Sequence, residues 1–184
     1  AIDLLLTSKC DVDSQDEHGN GAIHESSWNG FSQTLQLLIK HHCNVILTNK
    51  SGFTALHLAS QNGHNQSARV LLYGGCNADL KNNYGDTALH TAARYGHAGV
   101  TRILISARCR MNEQNKNGDT ALHISAALKR KKIAKLLVEA GIDINIVNKQ
   151  EETAVDVARR KEHPEIIMTI TSFVKTKASV HQIG

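Results

Sequence analysis

The tetrapeptide Thr54-Ala55-Leu56-His57 occurs again at residues 87–90 and 120–123, each copy 33 residues after the last. A variant, Gly21-Ala22-Ile23-His24, precedes the series at the same spacing, and a diverged copy, Thr153-Ala154-Val155-Asp156, follows it. One copy of such a motif carries little information, whereas five copies in phase indicate a repeated structural unit. The 33-residue period therefore decides the fold.

Other residue types keep the same period, and each predicts a local structure. An Asn or Asp before each motif favours a turn, and a Gly three residues later tolerates a positive φ angle. The Thr of the motif is a predicted helix N-cap, and paired apolar residues in the following segment form a predicted core. The glycines are Gly19, Gly52, Gly85 and Gly118, with Glu151 at the next position; the pairs begin at Leu4, Leu37, Val70, Ile103 and Leu136.

This pattern resembles the ankyrin repeat. The resemblance covers about residues 1–172 and implies an all-α solenoid of helix-turn-helix units joined by β-turn or hairpin loops. A single unit buries too little apolar surface to be stable, so stacking supplies the core. The predicted units are a partial repeat at 1–15, full repeats at 16–48, 49–81, 82–114 and 115–147, a C-terminal capping repeat at 148–172, and a tail or linker start at 173–184.

Three features of the sequence depart from a regular array. The chain begins at Ala1 with an apolar run that reads as the end of a helix, so we expect a fragment of a longer protein. In the unit 115–147, Leu128-Lys129-Arg130 replaces the Gly-His step, which predicts a longer first helix. Polar residues around Ile170 predict the outer face of a terminal cap.

Composition excludes several classes of protein. No apolar run approaches the roughly 18–20 residues of a membrane span. Four Cys in 184 residues are too few for a disulfide-stapled secreted domain, which favours the cytoplasm, with the nucleus as the alternative. A formal net charge of +4 argues against nucleic-acid binding. The basic run at 129–132 is interpreted as a solvated helix end, with a patch for an acidic partner or a nuclear-import signal as the alternatives.

The 11 His and 4 Cys raise the question of a metal or redox site. His24, His57, His90 and His123 hold one position in successive units, and His64, His97 and His163 hold a second. Stacked units lie roughly 8–10 Å apart, whereas zinc needs ligands at roughly 2 Å, so these histidines are expected to bond neighbouring backbone. Cys10, Cys43, Cys76 and Cys109 are likewise expected to be packing residues. We predict no catalytic residue, cofactor or metal.

The resemblance also implies where a partner binds. In ankyrin-like proteins partners contact the turn tips and the exposed side of the first helix. Four of the seven aromatic residues fall on these positions, and aromatic residues and Arg are frequent interface anchors. An alternative is that Trp28 or Phe53 packs against a neighbouring unit. The predicted partner-binding residues are Trp28, Phe53, Tyr84, Asp86, Arg94, Tyr95, Lys116 and Asp119.

Several stretches, among them residues 27–33, 78–83 and 92–95, are similar to the ankyrin region of diversin-type scaffold proteins. This resemblance implies a monomeric, non-catalytic protein-interaction module within a cytoplasmic scaffold of Wnt and planar-polarity signalling. It implies protein partners and no small-molecule substrate. The alternative is a regulatory ankyrin segment of a larger enzyme or channel, such as a ubiquitin-ligase adaptor.

One segment resembles a modification site. Residues 137–145 are similar to the segment that asparaginyl hydroxylases accept in ankyrin proteins, which makes Asn145 a candidate for hydroxylation. The alternative is an unmodified loop asparagine.

Overall fold

The computed structural model describes residues 13–172. Two predictions, a partial first repeat containing Cys10 and a tail at 173–184, lie wholly or largely outside these residues. Nine complete helices lie within the described range, a further helical segment covers residues 164–172, and no strand is found there. The predicted all-α class is confirmed. The helices are α1 Ala22–Asn29, α2 Ser32–Lys40, α3 Ala55–Gln61, α4 Asn65–Tyr73, α5 Ala88–Tyr95, α6 Ala98–Ser106, α7 Ala121–Ala127, α8 Lys131–Glu139 and α9 Ala154–Arg160.

The helices form two layers. Each first helix (α1, α3, α5, α7, α9) packs on the first helix of the next unit, and the second helices (α2, α4, α6, α8) pack on one another. One apolar cluster runs between the layers, and the predicted leucine positions are at its centre. Leu38, Leu71, Leu104 and Leu137 are each at most 1% exposed. Burial of a Leu side chain contributes about 1.5–3 kcal/mol, so this column supplies much of the stability of the array.

The predicted N-caps are present in four units. Thr54, Thr87, Thr120 and Thr153 each accept a hydrogen bond from the backbone N–H three residues later, at the start of α3, α5, α7 and α9. A Thr N-cap stabilises a helix by about 1 kcal/mol because it satisfies a donor that the helix leaves free. In α1 the cap residue is Gly21, and His24 alone provides the side-chain bond.

The turns before the first helices form a ladder along one edge of the array. In the unit 82–114, the Asn82 Oδ1 accepts from the N–H groups of Tyr84 and Asp86 at 2.9 and 3.0 Å. Gly85 follows with φ +78°, and a Cβ there would lie 2.7 Å from the Lys116 backbone nitrogen of the next turn. That nitrogen donates to the Tyr84 carbonyl at 3.1 Å. Glycine is therefore required by both the φ angle and the close approach of the next turn.

The prediction of a longer first helix in the unit 115–147 is wrong. Helix α7 ends at Ala127, the position at which α3 and α9 end and one residue before the ends of α1 and α5, and Lys129 then takes the left-handed conformation (φ 59°) that Gly63 and Gly96 take elsewhere. Arg130 then occupies the position of His64 and His97. The Arg130 guanidinium donates to the Arg94 carbonyl at 2.8 Å, as the histidines donate to carbonyls of the preceding unit.

Candidate functional site

The first helices and the turn tips line a concave groove that runs along the array. Three adjoining cavities make up the groove, with volumes of about 590, 510 and 370 Å³ from the N-terminal to the C-terminal end. Phe53 and Gln61 are shared by the first two cavities, and Arg94 and Asn117 by the second and third. The groove is therefore continuous over five units.

All eight predicted partner-binding residues line this groove. The N-terminal cavity contains Trp28, and it shares Phe53 with the central one. The central cavity adds Tyr84, Asp86, Arg94, Tyr95 and Lys116, and the C-terminal cavity contains Asp119. Positions that are up to 91 residues apart in sequence thus face one surface.

The aromatic residues of the groove differ in how far they are available to a partner. Trp28, Tyr84 and Tyr95 are 45%, 63% and 47% exposed, so each presents a large apolar area to solvent. Phe53 is half-buried, with its ring stacked on His57 at 5.8 Å and tilted against Tyr84 at 6.4 Å. The alternative of packing within the array therefore applies in part to Phe53, while Trp28, Tyr84 and Tyr95 remain accessible.

Asp86 has an internal role that its sequence position did not indicate. Its side chain is 3% exposed, and its Oδ2 is ion-paired with the guanidinium of Arg94, in the last turn of helix α5 of the same unit. Its Oδ1 accepts from the Asn115 Nδ2 at 3.0 Å. Because both carboxylate oxygens are used within the protein, Asp86 positions Arg94 in the groove and does not itself offer a charge to a partner.

Lys116 and Asp119 lie on the next turn and are oriented differently. Lys116 is exposed, and its backbone N–H belongs to the ladder of turns. Asp119 is half-buried, and its Oδ1 accepts from the Asn148 Nδ2 at 3.1 Å. The groove therefore carries an exposed cation on its edge and a carboxylate in its wall.

The histidines of the tetrapeptide connect adjacent first helices, as predicted. The His57 Nδ1 accepts from the Thr54 N–H at 3.1 Å, and its Nε2 donates to the Asp86 carbonyl of the next unit at 2.9 Å. His90 and His123 repeat this arrangement, and in α1 the His24 Nε2 donates to the Phe53 carbonyl. This bonding requires a neutral ring with its proton on Nε2.

A comparison with protein-family models matches ankyrin repeats (three copies) at residues 1–82, 69–148 and 104–175. These segments together cover nearly the whole chain. The chain belongs to the ankyrin repeat family. Ankyrin repeats are protein-interaction modules and are generally non-catalytic, which agrees with a groove lined by anchors of the kind found in interfaces. No curated protein matched the sequence, so the comparisons add nothing to the similarity with diversin-type proteins.

In this ankyrin array burial favours the neutral form of three histidines. Burial lowers the pKa of His24, His57 and His90, because a charged imidazole loses its hydration inside the stack. The bonds from Nε2 to carbonyls oppose this shift. Within residues 13–172 no three His, Cys, Asp or Glu side chains converge in a way that could hold a metal ion.

Cys43, Cys76 and Cys109 of the ankyrin array are packing residues, as predicted, while Cys10 lies outside the described residues. Cys43 and Cys76 are buried and Cys109 is half-buried, each three residues after a second helix ends, and all three are free thiols. Burial raises the pKa of Cys43 to about 11 and that of Cys76 and Cys109 to about 12. Thiols of such high pKa are poor nucleophiles, because the thiolate is the reactive form.

Two features of the ankyrin array were missed by sequence reasoning. One is the role of Arg130, which replaces a histidine at the junction between α5 and α7. The other is a second ion pair, in which the Arg160 Nε lies 2.7 Å from the Glu152 Oε2. Arg160 and Glu152 stand 66 residues after Arg94 and Asp86. The signal was available in the phase of the repeat, which places an acid and an Arg eight residues apart in both units.

Asn145 lies outside the groove, in the loop that follows α8. It is exposed, and its backbone N–H donates to the Asp143 carboxylate at 2.9 Å.

Among the helices of residues 13–172, none is long and apolar enough to cross a membrane.

Proposed function

We propose that this ankyrin array is a non-catalytic module that holds a protein partner in the concave groove between Trp28 and Asp119. By its resemblance to diversin-type proteins, the module is proposed to act in a cytoplasmic scaffold of Wnt and planar-polarity signalling. The observation that carries the binding role is that three of the five exposed aromatic residues within residues 13–172, namely Trp28, Tyr84 and Tyr95, line one groove, while the core of the array is aliphatic.

The partner contacts are proposed to centre on Trp28, Tyr84 and Tyr95. Large aromatic side chains dominate the binding energy of many interfaces because they bury much area with few rotatable bonds. Arg94 adds a donor that is held in place by Asp86, so little conformational entropy is lost when a partner binds it. Lys116 and Asp119 extend the surface toward the C-terminal units.

The test replaces Trp28, Tyr84 and Tyr95 by Ala together and compares partner capture by quantitative pull-down and mass spectrometry. Each side chain is about half exposed or more, so the fold is expected to persist. Arg94 is left unchanged because its removal would leave the buried Asp86 carboxylate without its cation. We expect specific partners to be depleted at least tenfold.

The matched control is Tyr73→Ala. Tyr73 is 90% exposed at the end of α4, in the layer of second helices and outside the groove. This variant should retain the partners of the wild type. Equal capture by the wild type and the triple variant would show that the groove is not the binding surface.

We propose separately that Asn145 is a substrate for an asparaginyl hydroxylase, on the basis of its exposure and of the similarity of residues 137–145 to accepted segments. Asn112 holds the same position one repeat earlier, but its Oδ1 accepts from the Asp143 N–H at 2.9 Å. Mass spectrometry of intact peptides should therefore find an added oxygen at Asn145 and none at Asn112. An unmodified Asn145 after incubation with the enzyme would dispose of the proposal.

A further inference from the structure

The repeat position held by Arg94 and Arg160 is occupied by Ala127 in the unit between them, and this difference indicates the chemistry of the partner. The residue before the Thr N-cap and the residue eight positions later face each other across the groove wall. In the third full unit these residues are Asp86 and Arg94, and in the last unit they are Glu152 and Arg160; both pairs form ion pairs. In the unit between them the acid is kept as Asp119, but the later position is Ala127.

Asp119 is therefore the one acid of the three that lacks a guanidinium from its own unit. Within residues 13–172 no ion pair joins Asp119 to a basic side chain. Its Oδ1 is held by the Asn148 Nδ2, which fixes the carboxylate in the wall of the groove. The flanking units show that a carboxylate at this position binds a guanidinium.

The cavity beside Asp119 has the shape and lining that a long basic side chain requires. Its volume is about 370 Å³, and its walls include the apolar side chains of Ile124, Ala127, Leu128 and Val157. An Arg buries its three methylene groups against apolar surface while its planar head bonds a carboxylate. Ala127 leaves the space that the Arg side chain occupies in the neighbouring units.

Two other charged side chains line this cavity, and the charge of Asp119 acts on one of them, since the hydrogen bond and charge of Glu152, and after them the charge of Asp119, raise the pKa of Arg160. Arg94 and Arg160 line the same cavity, but each is paired with its own carboxylate, Asp86 and Glu152. With both pairs counted as neutral, the remaining formal charge of the lining is that of Asp119. The electrostatics of this part of the groove therefore favour a positive group.

We propose that the Asp119 cavity binds an arginine side chain of an extended partner segment, in place of the Arg that the neighbouring units carry themselves. This inference rests on the proposed function of the groove. Units are spaced by roughly 8–10 Å, and an extended chain advances roughly 3.3 Å per residue, so one unit corresponds to about three residues of the partner. The arginine then lies about three residues from the side chain that contacts Tyr84 and Tyr95.

The test selects phage-displayed random 16-residue peptides on the 184-residue chain and measures the affinity of the enriched peptides. Two variants probe the cavity. Asp119→Asn removes the charge and keeps an oxygen for the Asn148 bond, and Ala127→Arg supplies the built-in cation of the neighbouring units. We expect enriched peptides to carry an Arg at a fixed distance from an apolar residue. Each variant should weaken their binding at least tenfold, and citrulline in place of that Arg should do the same.

Matched controls separate this effect from general changes of charge. Asp143→Asn and Ser106→Arg make the same changes at exposed positions outside the groove, and they should bind the peptides as the wild type does. Thermal unfolding of each variant verifies that it is folded.

The outcomes distinguish this inference from the proposed function. If enriched peptides lack Arg, or bind Asp119→Asn as tightly as the wild type, the arginine site is wrong while the groove remains the binding surface. A selection that recovers no peptide also overturns the inference, because an extended segment is what it requires. The proposed function is then decided by the pull-down with the triple aromatic variant.

Discussion

The junctions between first helices and the groove beside them are formed by the same helices, yet they use the repeat in opposite ways. At the junctions, one residue type returns every 33 positions, as His24, His57, His90 and His123 do. Along the groove the residue changes from unit to unit, as in the series Trp28, Gln61, Arg94, Ala127 and Arg160. A junction must satisfy the same backbone groups each time, whereas a groove residue has only solvent or a partner to satisfy. Repetition therefore marks the structural positions of this chain, and variation marks the candidate binding positions.

Removing a junction histidine should have the largest effect on stability. In His90→Ala the buried Thr87 N–H loses its acceptor, the Asp119 carbonyl loses a donor, and a cavity remains. We expect the free energy of unfolding to fall by about 3 kcal/mol, measured by urea denaturation. The groove variant Tyr84→Ala should change it by less than about 0.5 kcal/mol. Similar losses in both variants would contradict the division into junction and groove.

Breaking the ion pair of Asp86 and Arg94 should have the next largest effect, because this pair belongs to both regions. Arg94→Ala leaves a carboxylate that is 3% exposed without its cation, so we expect a loss of about 2 kcal/mol. Arg160→Ala removes the guanidinium at the equivalent position, beside Glu152, whose side chain is more exposed at 18%. This variant should lower the free energy of unfolding by less. A double variant, Arg94→Ala with Asp86→Ala, measures the coupling. Equal losses at positions 94 and 160 would show that burial of the acid does not matter.

Acidification should weaken the junctions reversibly. Because burial lowers the pKa of His24, His57 and His90, the unfolded chain binds more protons than the folded chain as the pH falls below about 6.5. Their contribution to stability is complete above that value and declines as the pH falls from it toward the pKa of the folded state. Urea denaturation between pH 7.5 and 5.5 should show this decline.

Two comparisons within the same pH experiment test whether the histidines cause the decline. Asp156, which replaces the histidine in α9, has a pKa lowered by the Thr153 N–H, so its contribution is lost only at more acidic pH. His90→Gln should show a shallower dependence on pH than the wild type. An identical slope in the two proteins would mean that His90 does not titrate differently on folding.

A smaller effect is expected where the unit 115–147 departs from its neighbours. Lys129 takes a φ of 59°, a conformation that costs an ordinary residue about 1 kcal/mol more than Gly. Lys129→Gly should therefore raise the free energy of unfolding by up to about 1 kcal/mol. Gly96→Ala, at the same position of the preceding unit with φ 78°, should lower it by a similar or larger amount. A loss of stability in Lys129→Gly would show that the Lys side chain makes a contribution of its own.

Most of the fold could be predicted from the sequence because residues with a clear local preference recur at the same position in several units. The Thr caps, the left-handed glycines and the buried leucine column all follow from residue type and phase. The length of α7 differs from the prediction because a first helix can end without a glycine at this position. Lys129 adopts the same φ angle, since the bond from Arg130 to the Arg94 carbonyl and the packing of α8 hold the chain there.

The location of the groove residues could be predicted from the sequence, but the bonds that each side chain makes could not. All eight predicted residues line the groove, since one phase of a repeat maps to one face of the solenoid. The full use of the Asp86 carboxylate within the array was not foreseen, because its second oxygen bonds the Asn115 side chain of the next turn. Asp119 lacks an equivalent partner in its own unit because α7 carries Ala127 where α5 carries Arg94.

The sequence by itself determined the period, the two-helix unit and the face on which variable residues gather, because each of these follows from short-range preferences repeated every 33 residues. Tertiary structure alone decided which of those residues bond other groups of the array and which remain accessible to a partner. That choice depends on distances between side chains that folding brings together, such as the bonds of Asp86 to Arg94 in its own unit and to Asn115 in the next. Local sequence preferences carry no information on these distances.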